Sequence, residues 1–328
     1  MTGKKKYLLY FLGALLLFIS ACLSVRLGSE TLSWREFFMG LIGKKGFERI
    51  TFVLWNLRFP RMLAAVVAGV GLSVSGLALQ NLTGNELAGP NIIGVNAGAG
   101  FFVILGMYYM PGFAKVLPLL AFLGAFLATL FILLLSFSQK NGKNAVILAG
   151  VAVTALLNAG ISLISRLDTD LLTLYNDFSV GGLSEIEAKS LILPSIMIAL
   201  SMAVLLLFSK DIDAMMLGDG ISRSLGVSVR LVRLIAVLSA SAAAGAVVSV
   251  AGLLGFVGLI VPHMARKMIG ASTGKALFLS ALLGAIVVLI ADIAGRSLFS
   301  GTEIPVGIVM ALIGVPFFLY LIIRRREA

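Results

Sequence analysis

Long apolar runs separated by short polar breaks fill this chain almost from end to end. Most runs are close to twenty residues, the length of a helix that crosses a bilayer, and they lack the alternation typical of barrel strands. We therefore predict an all-α integral membrane protein of about ten transmembrane helices, forming a single domain over residues 1–328. The predicted spans are 7–27, 58–80, 92–107, 115–137, 145–165, 190–209, 231–253, 257–269, 276–295 and 305–323.

Two parts of this pattern resemble each other. Arg61 begins a span rich in Ala, Gly and Ser that reaches a Ser-Gly pair at 75–76 and is followed by a short glycine-rich helix. Arg233 begins a similar span that reaches an Ala-Gly pair at 251–252 and is also followed by a short helix. With this number of spans the two copies start on opposite sides of the membrane. The pattern therefore predicts inverted repeats, an arrangement found in many transporters.

A polar, glycine-containing interruption separates the sixth and seventh predicted spans. Within it, Leu217, Ile221 and Leu225 recur every four residues, with polar residues between them. This spacing predicts a short helix with one apolar and one polar face, and Gly220 and Gly226 favour bends at its ends. The segment is either an ordinary solvated loop or an element that docks another protein.

Composition supports a membrane protein and changes the meaning of the charge. Hydrophobic residues make up 59% of the chain and charged residues 12%, with a mean hydropathy of +1.07. In this setting the net charge of +11 indicates basic residues near anionic headgroups rather than a nucleic-acid partner. Basic clusters at Lys4–Lys6 and Arg324–Arg326 predict that both termini are cytoplasmic in a cell-membrane protein. The predicted external segment 28–61 is also basic, so the excess of basic residues on the cytoplasmic side is modest.

Candidate catalytic chemistry is sparse. The string from Gly270 to Lys275 has too few residues between its glycines for a nucleotide-binding loop, and His263 is the only histidine, so we expect a structural role for it and no metal site. We predict neither an enzyme nor a bound cofactor. Asp292 lies well inside a predicted span, four residues before Arg296. An ion-coupled secondary transporter with Asp292 as its coupling group is therefore the alternative function.

Three blocks of the sequence stand out. They are LRFPRML at 57–63 continuing through SGLALQ at 75–80 to NELAGPNIIGV at 85–95, then GFVGLIVPHMAR at 255–266, and finally AD at 291–292 with Arg296, EIPVG at 303–307 and GVPFF at 314–318. In order and spacing these blocks resemble the permease subunits of ABC importers for iron–siderophore complexes, haem and cobalamin, and the resemblance covers most of the chain. The chain departs from the family at Glu86, where proline is usual, and at Gly89, where an acidic residue is usual.

The resemblance implies a permease that transports an iron–siderophore or a related metal chelate and is powered by another protein. Its partners would be a second permease subunit, identical or related, two cytoplasmic ATP-binding subunits, an extracytoplasmic substrate-binding lipoprotein and membrane lipid. A coupling helix is implied at about 213–228. The implied site residues are Leu217, Gly218, Ile221, Arg223, Leu225 and Gly226 for coupling to the ATPase, Arg58, Arg61 and Arg296 for docking the binding protein, and Asn85 and Leu87 for the cytoplasmic gate.

Overall fold

Helices form all the regular structure in the part of the chain that the computed structural model describes, residues 3–28, 31–110, 112–137, 142–184, 186–298 and 302–325. Arg326, from the basic cluster at the chain end, lies outside these residues. The α-helices are α1 (Gly3–Arg26), α2 (Trp34–Ile42), α3 (Glu48–Val53), α4 (Phe59–Thr83), α5 (Val95–Tyr109), α6 (Leu117–Phe137), α7 (Gly142–Leu167), α8 (Asp170–Val180), α9 (Ile192–Leu207), α10 (Ser209–Met216), α11 (Asp219–Ser224), α12 (Val229–Ala251), α13 (Val257–Ile269), α14 (Thr273–Ser297) and α15 (Val306–Arg325). The all-α prediction is confirmed.

Each of the ten predicted spans coincides with one of these helices, but the number of membrane crossings is approximate. Seven described helical segments are long and apolar enough to span a bilayer, and α5 and α15 are shorter apolar helices. The thirteen-residue α13 carries His263, Arg266 and Lys267. Four short helices were not predicted, α2, α3, α8 and α10, because a search for apolar runs of about twenty residues passes over them.

The core forms around α4, which packs most extensively against α14 and α12. Small residues allow this close contact. Gly69 faces the backbone of Gly284 on α14, and Gly76 faces the carbonyl oxygen of Gly258 on α13, with no room for a β-carbon at either position. The run of Ala, Gly and Ser in α4 is therefore a packing surface between helices.

Contacts between helix ends fix the directions of the central helices. Arg61 near the start of α4 bonds to Asp292 near the end of α14, and Asn81 near the end of α4 bonds to Thr273 at the start of α14. The first turns of α12 line a small cavity with the last turns of α4. Both α12 and α14 therefore run antiparallel to α4. The opposed directions of α4 and α12 are those that the inverted-repeat prediction requires.

The bundle has two distinct ends. We call the end where α4 begins the arginine end, and the end that carries the 213–228 segment the opposite end. Tyr10 of α1 donates a hydrogen bond to the carbonyl oxygen of Lys275, which places the start of α1 at the opposite end. The ring of Phe317 on α15 contacts that of His263, so α15 also runs toward that end. Both ends of the described chain therefore lie together.

Candidate functional site

Glycine positions divide the 213–228 segment into short pieces. Helix α10 ends at Met216, Gly218 has a φ of 108°, α11 covers Asp219–Ser224, and Gly226 has a φ of 83°. Positive φ values of this kind favour glycine because it lacks a β-carbon. The predicted bend at Gly226 is confirmed. The bend predicted at Gly220 is wrong, because Gly220 lies within α11 and Gly218 supplies the turn.

Three apolar side chains of this segment point away from the protein. Leu217, Ile221 and Leu225 are 61%, 53% and 62% exposed, and we call these three residues the apolar ridge. Ser222, on the polar side of α11, is buried and donates to the carbonyl oxygens of Ala214 and Gly218. An ordinary surface helix buries its apolar face and exposes its polar face. Helix α11 does the reverse at Ile221 and Ser222, which is typical of a surface that a partner covers.

An ion pair holds α11 in this orientation. Both oxygens of the Asp219 carboxylate accept from the guanidinium of Arg233 at 2.9 Å. Arg233 is buried in the second turn of α12, whereas Arg223 on α11 is exposed beside the ridge. Asp219 of this segment therefore forms an internal ion pair, whereas Arg223 is available at the surface.

A chain of hydrogen bonds connects the segment to the helical core. Asp213 accepts from the backbone N–H of Thr273 at 2.7 Å and from its hydroxyl group. Thr273 accepts from Asn81 at 2.8 Å, and Asn81 accepts from Arg266 at 3.2 Å. Arg266 also donates to Gln80 at 2.6 Å, and Gln80 donates to two carbonyl oxygens in the first turn of α13. We call these residues the polar chain.

Sequence reasoning missed the polar chain. The available signal was the pair of amides at the last turn of α4 and the arginine after a lone histidine, both at the ends of apolar runs. No local spacing connects them, because the bonded residues are 185 and 192 positions apart. The polar chain joins α10, α4, α13 and α14, so that displacement of one of these helices strains the others.

The proposed gate residues Asn85 and Leu87 lie in the turn after α4. The Asn85 side-chain oxygen accepts from the backbone N–H of Leu87 at 3.0 Å, and the Asn85 N–H donates to Thr83 at 3.2 Å. Leu87 lines a cavity of about 40 Å³ together with Phe256 and residues of the first turn of α13. The local bonds fix the shape of the turn, and Leu87 is its contact with the interior.

His263 has a structural partner, as expected for it. Its Nδ1 lies 3.1 Å from a carboxylate oxygen of Glu86, the residue that stands where the family usually has proline. The imidazole is buried while Glu86 is half exposed. The contact ties the turn that contains Asn85 and Leu87 to α13.

The three arginines predicted to dock the binding protein come together at the arginine end, but they are engaged inside this chain. Arg296 lies 2.8 Å from Asp292, and Arg61 lies 2.9 Å from Asp292 and 2.6 Å from Glu303. Arg58 is buried and donates to the carbonyl oxygens of Val25 and Arg26 at 3.0 and 2.7 Å.

Together the three arginines connect the end of α1, the start of α4 and the end of α14, and their role in docking stays a prediction. Their side chains line a cavity of about 660 Å³ together with Arg49, Glu187 and Glu303.

Asp292 has the environment of a structural carboxylate. It is 1% exposed and is paired with both Arg61 and Arg296, at 2.9 and 2.8 Å. The alternative of an ion-coupled transporter is not favoured. Among the described residues no group of three or more His, Cys, Asp or Glu side chains could hold a metal ion.

The chain is similar to known proteins over almost its whole length. Residues 16–324 match the FecCD transport family. The hemin transport system permease protein of Yersinia pestis is 35% identical over 322 residues, 95% of this chain and 94% of that protein. The Fe(3+)-citrate import system permease protein of Bacillus subtilis (strain 168) is 32% identical over 324 residues, covering 97% and 96% of the two chains.

A solved structure of a metal-chelate type ABC transporter in an inward-facing conformation has the same fold. It superposes with a TM-score of 0.85 at 30% identity, covering 96% of this chain and 98% of the other. The residues matched to the family include the apolar ridge, the polar chain and the three arginines. The chain therefore belongs to the FecCD transport family and is a multi-pass membrane permease.

Proposed function

We propose that this chain is the permease of an ABC importer and that a separate cytoplasmic ATPase subunit binds its 213–228 segment. The observation that carries this proposal is the apolar ridge, three exposed aliphatic side chains on an element whose polar side is bonded inward. Neighbouring short helices that present three aliphatic side chains on one surface fit a hydrophobic groove on a partner. Gly218, Arg223 and Gly226 would shape and flank the contact.

Movement of the docked segment would reach the gate through the polar chain. Asp213 belongs to the helix that precedes the ridge and holds the first turn of α14. From there the bonds pass to the last turn of α4, directly before the turn that carries Asn85 and Leu87. Closure of an ATPase dimer would thus displace the gate turn as part of a rigid unit, a shift between packed helices.

The arginine end would receive the substrate-binding protein. Arg58, Arg61 and Arg296 are recessed in the cavity of about 660 Å³, so acidic side chains of that protein would have to enter the cavity to reach them. Arg49, which is exposed and lines the same cavity, would make the first contact. Arg49 would attract the acidic side chains of the binding protein, and the three recessed arginines would then orient those side chains.

We infer an iron–siderophore or a related metal chelate as the substrate, because the similar permeases act on hemin and on Fe(3+)-citrate. A second permease subunit would complete the pathway through the membrane. Two cytoplasmic ATP-binding subunits would power transport. Both termini would then be cytoplasmic, since they share the end of the bundle that carries the apolar ridge.

Reconstitution in vesicles tests the function. The chain, its ATPase and the binding protein are placed in proteoliposomes, and uptake is measured for a panel of ferric hydroxamates, ferric citrate, haem and cobalamin. We expect uptake of one class that requires ATP on the ATPase side and stops with an ATPase that binds but does not hydrolyse ATP. Uptake by this chain alone, driven by an ion gradient and abolished by Asp292→Asn, would refute the proposal.

A further inference from the structure

Helix α2, between the first two membrane-spanning helices, is short but well defined. Ser33 caps its start, with the Glu36 N–H donating to the Ser33 hydroxyl at 3.3 Å and the Ser33 N–H donating to the Glu36 carboxylate at 2.8 Å. These hydrogen bonds lower the pKa of Glu36, so its carboxylate stays charged. The helix ends at Gly43, whose φ is 70°. Nine residues extend about 14 Å, which is too short to cross a bilayer.

One side of α2 packs on the protein and another is covered by nothing in this chain. Phe37 is buried against Val25 of α1 and Leu54. Trp34, Phe38 and Ile42, spaced at four residues, are 53%, 52% and 78% exposed. These three residues form an exposed apolar stripe, although α2 is not a membrane-spanning helix.

The stripe begins at the level where the first span ends. Arg26 is the last residue of α1, and its guanidinium carbon lies 4.2 Å from the centre of the Trp34 ring. Trp34 in turn stacks on Phe38 at 6.2 Å between ring centres. A basic residue that ends a membrane span lies near the headgroups, where Trp is also enriched. The stripe therefore lies at the boundary between the hydrocarbon and water.

The charges around α2 are mainly positive. Arg35, Lys44, Lys45 and Arg49 are exposed. The two described acidic residues of this stretch are engaged locally, Glu36 by the cap and Glu48 by the N–H of Gly46 at 3.0 Å. Basic residues that flank an interfacial helix attract anionic lipid. Part of the unexpected basic charge of the 28–61 segment is thereby explained.

We propose that α2 is an interfacial helix that lies on the bilayer surface at the arginine end, with Trp34, Phe38 and Ile42 inserted among acyl chains and Arg35, Lys44 and Lys45 bound to anionic lipid headgroups. This lipid site does not depend on the proposed transport function. It would hold the ends of α1 and α4 at a fixed depth, because Phe37 packs between them.

The composition of the chain makes the site directly observable. The protein has only two tryptophans, Trp34 and Trp55, so Trp55→Phe leaves Trp34 as the single indole. The full-length variant in nanodiscs is measured with lipids brominated near the carbonyl region or near the chain end. We expect strong quenching by the shallow label, weaker quenching by the deep one and protection from acrylamide. Quenching by acrylamide as in a free indole, without quenching by either lipid, would overturn the proposal and favour a protein partner on this surface.

Lipid selectivity is tested in mixed bilayers in which only phosphatidylglycerol is brominated, with only phosphatidylcholine brominated as the reverse control. Each basic residue near an anionic surface contributes about fivefold in affinity. In the Trp55→Phe background, Arg35→Gln with Lys44→Gln and Lys45→Gln should therefore reduce the enrichment of phosphatidylglycerol at Trp34 to its mole fraction.

Lys115→Gln with Lys189→Gln, which removes exposed lysines outside this segment, should leave the enrichment unchanged. Equal enrichment in the α2 variant and the unsubstituted protein would overturn the anionic-lipid assignment. In the complementary Trp34→Phe variant, Trp55 is the single indole. There, the three glutamine substitutions should reduce the enrichment of phosphatidylglycerol less than they do at Trp34. Circular dichroism before and after thermal unfolding confirms that each variant is folded.

Discussion

Truncation of the apolar ridge gives the sharpest test of how this permease is driven. The variant carries Leu217→Ala, Ile221→Ala and Leu225→Ala together. Slightly more than half of each side chain is exposed, and complete burial of one Leu or Ile stabilises by about 2 kcal/mol. Each residue therefore offers about 1 kcal/mol to a partner, and the three together about 3 kcal/mol, again from area burial.

The expected weakening follows from this sum. About 1.4 kcal/mol corresponds to a tenfold change in a dissociation constant, so 3 kcal/mol corresponds to about 100-fold. Alanine retains its β-carbon, which lowers the expected effect to about 30-fold to 100-fold. The thermal unfolding temperature of the isolated permease should not change, because the three side chains contribute little to the packing of their own chain.

The assay combines binding and coupling. Affinity for the ATPase is measured with the permease in nanodiscs, and transport and ATP hydrolysis are measured in proteoliposomes. The matched control is Leu8→Ala with Leu12→Ala and Leu16→Ala, which have the same four-residue spacing and are also exposed, but lie on the membrane-spanning α1. Unchanged ATPase affinity and coupling in the ridge variant, or equal losses in the control, would refute the assignment.

Three further outcomes follow from the packed regions. Arg296→Ala removes one partner of a buried ion pair and leaves Asp292 undercompensated, so the free energy of unfolding should fall by about 3–5 kcal/mol; unchanged thermal unfolding in detergent would contradict this. Gly76→Ala places a methyl group against a carbonyl oxygen of α13 and should abolish stable folding, whereas Gly182→Ala meets no neighbour and should be tolerated. Arg49→Glu should weaken docking of the binding protein severalfold without lowering stability, as measured by surface binding and thermal unfolding.

The sequence alone was sufficient to predict the structural features that follow a repeating pattern along the chain. Apolar runs near twenty residues predicted the spanning helices, because a bilayer sets their length and requires every backbone group to bond within its own segment. The spacing of Leu217, Ile221 and Leu225 predicted a shared apolar face, although the structure divides the three residues between the end of α10, α11 and the residue that follows α11. Spacing alone left open whether that face is buried or exposed, because the period is identical in both cases.

The three-dimensional structure decided which polar residues are partners. Arg296 and Asp292 are four residues apart, and their pairing was readable from the sequence, but Arg61 reaches the same carboxylate across 231 positions. The contact of Glu86 with His263 likewise spans two blocks that share no local pattern. Such pairs depend on antiparallel packing of helices that small residues bring close together.

What the sequence determined by itself is therefore the helical membrane architecture, the family and the presence of a polar interruption at 213–228, since each rests on local period or on long blocks of similarity. Only the tertiary structure decided that the ridge points outward, that the three arginines are engaged internally and that α2 presents an aromatic stripe. These properties depend on what faces each side chain, and the facing atoms come from distant parts of the chain.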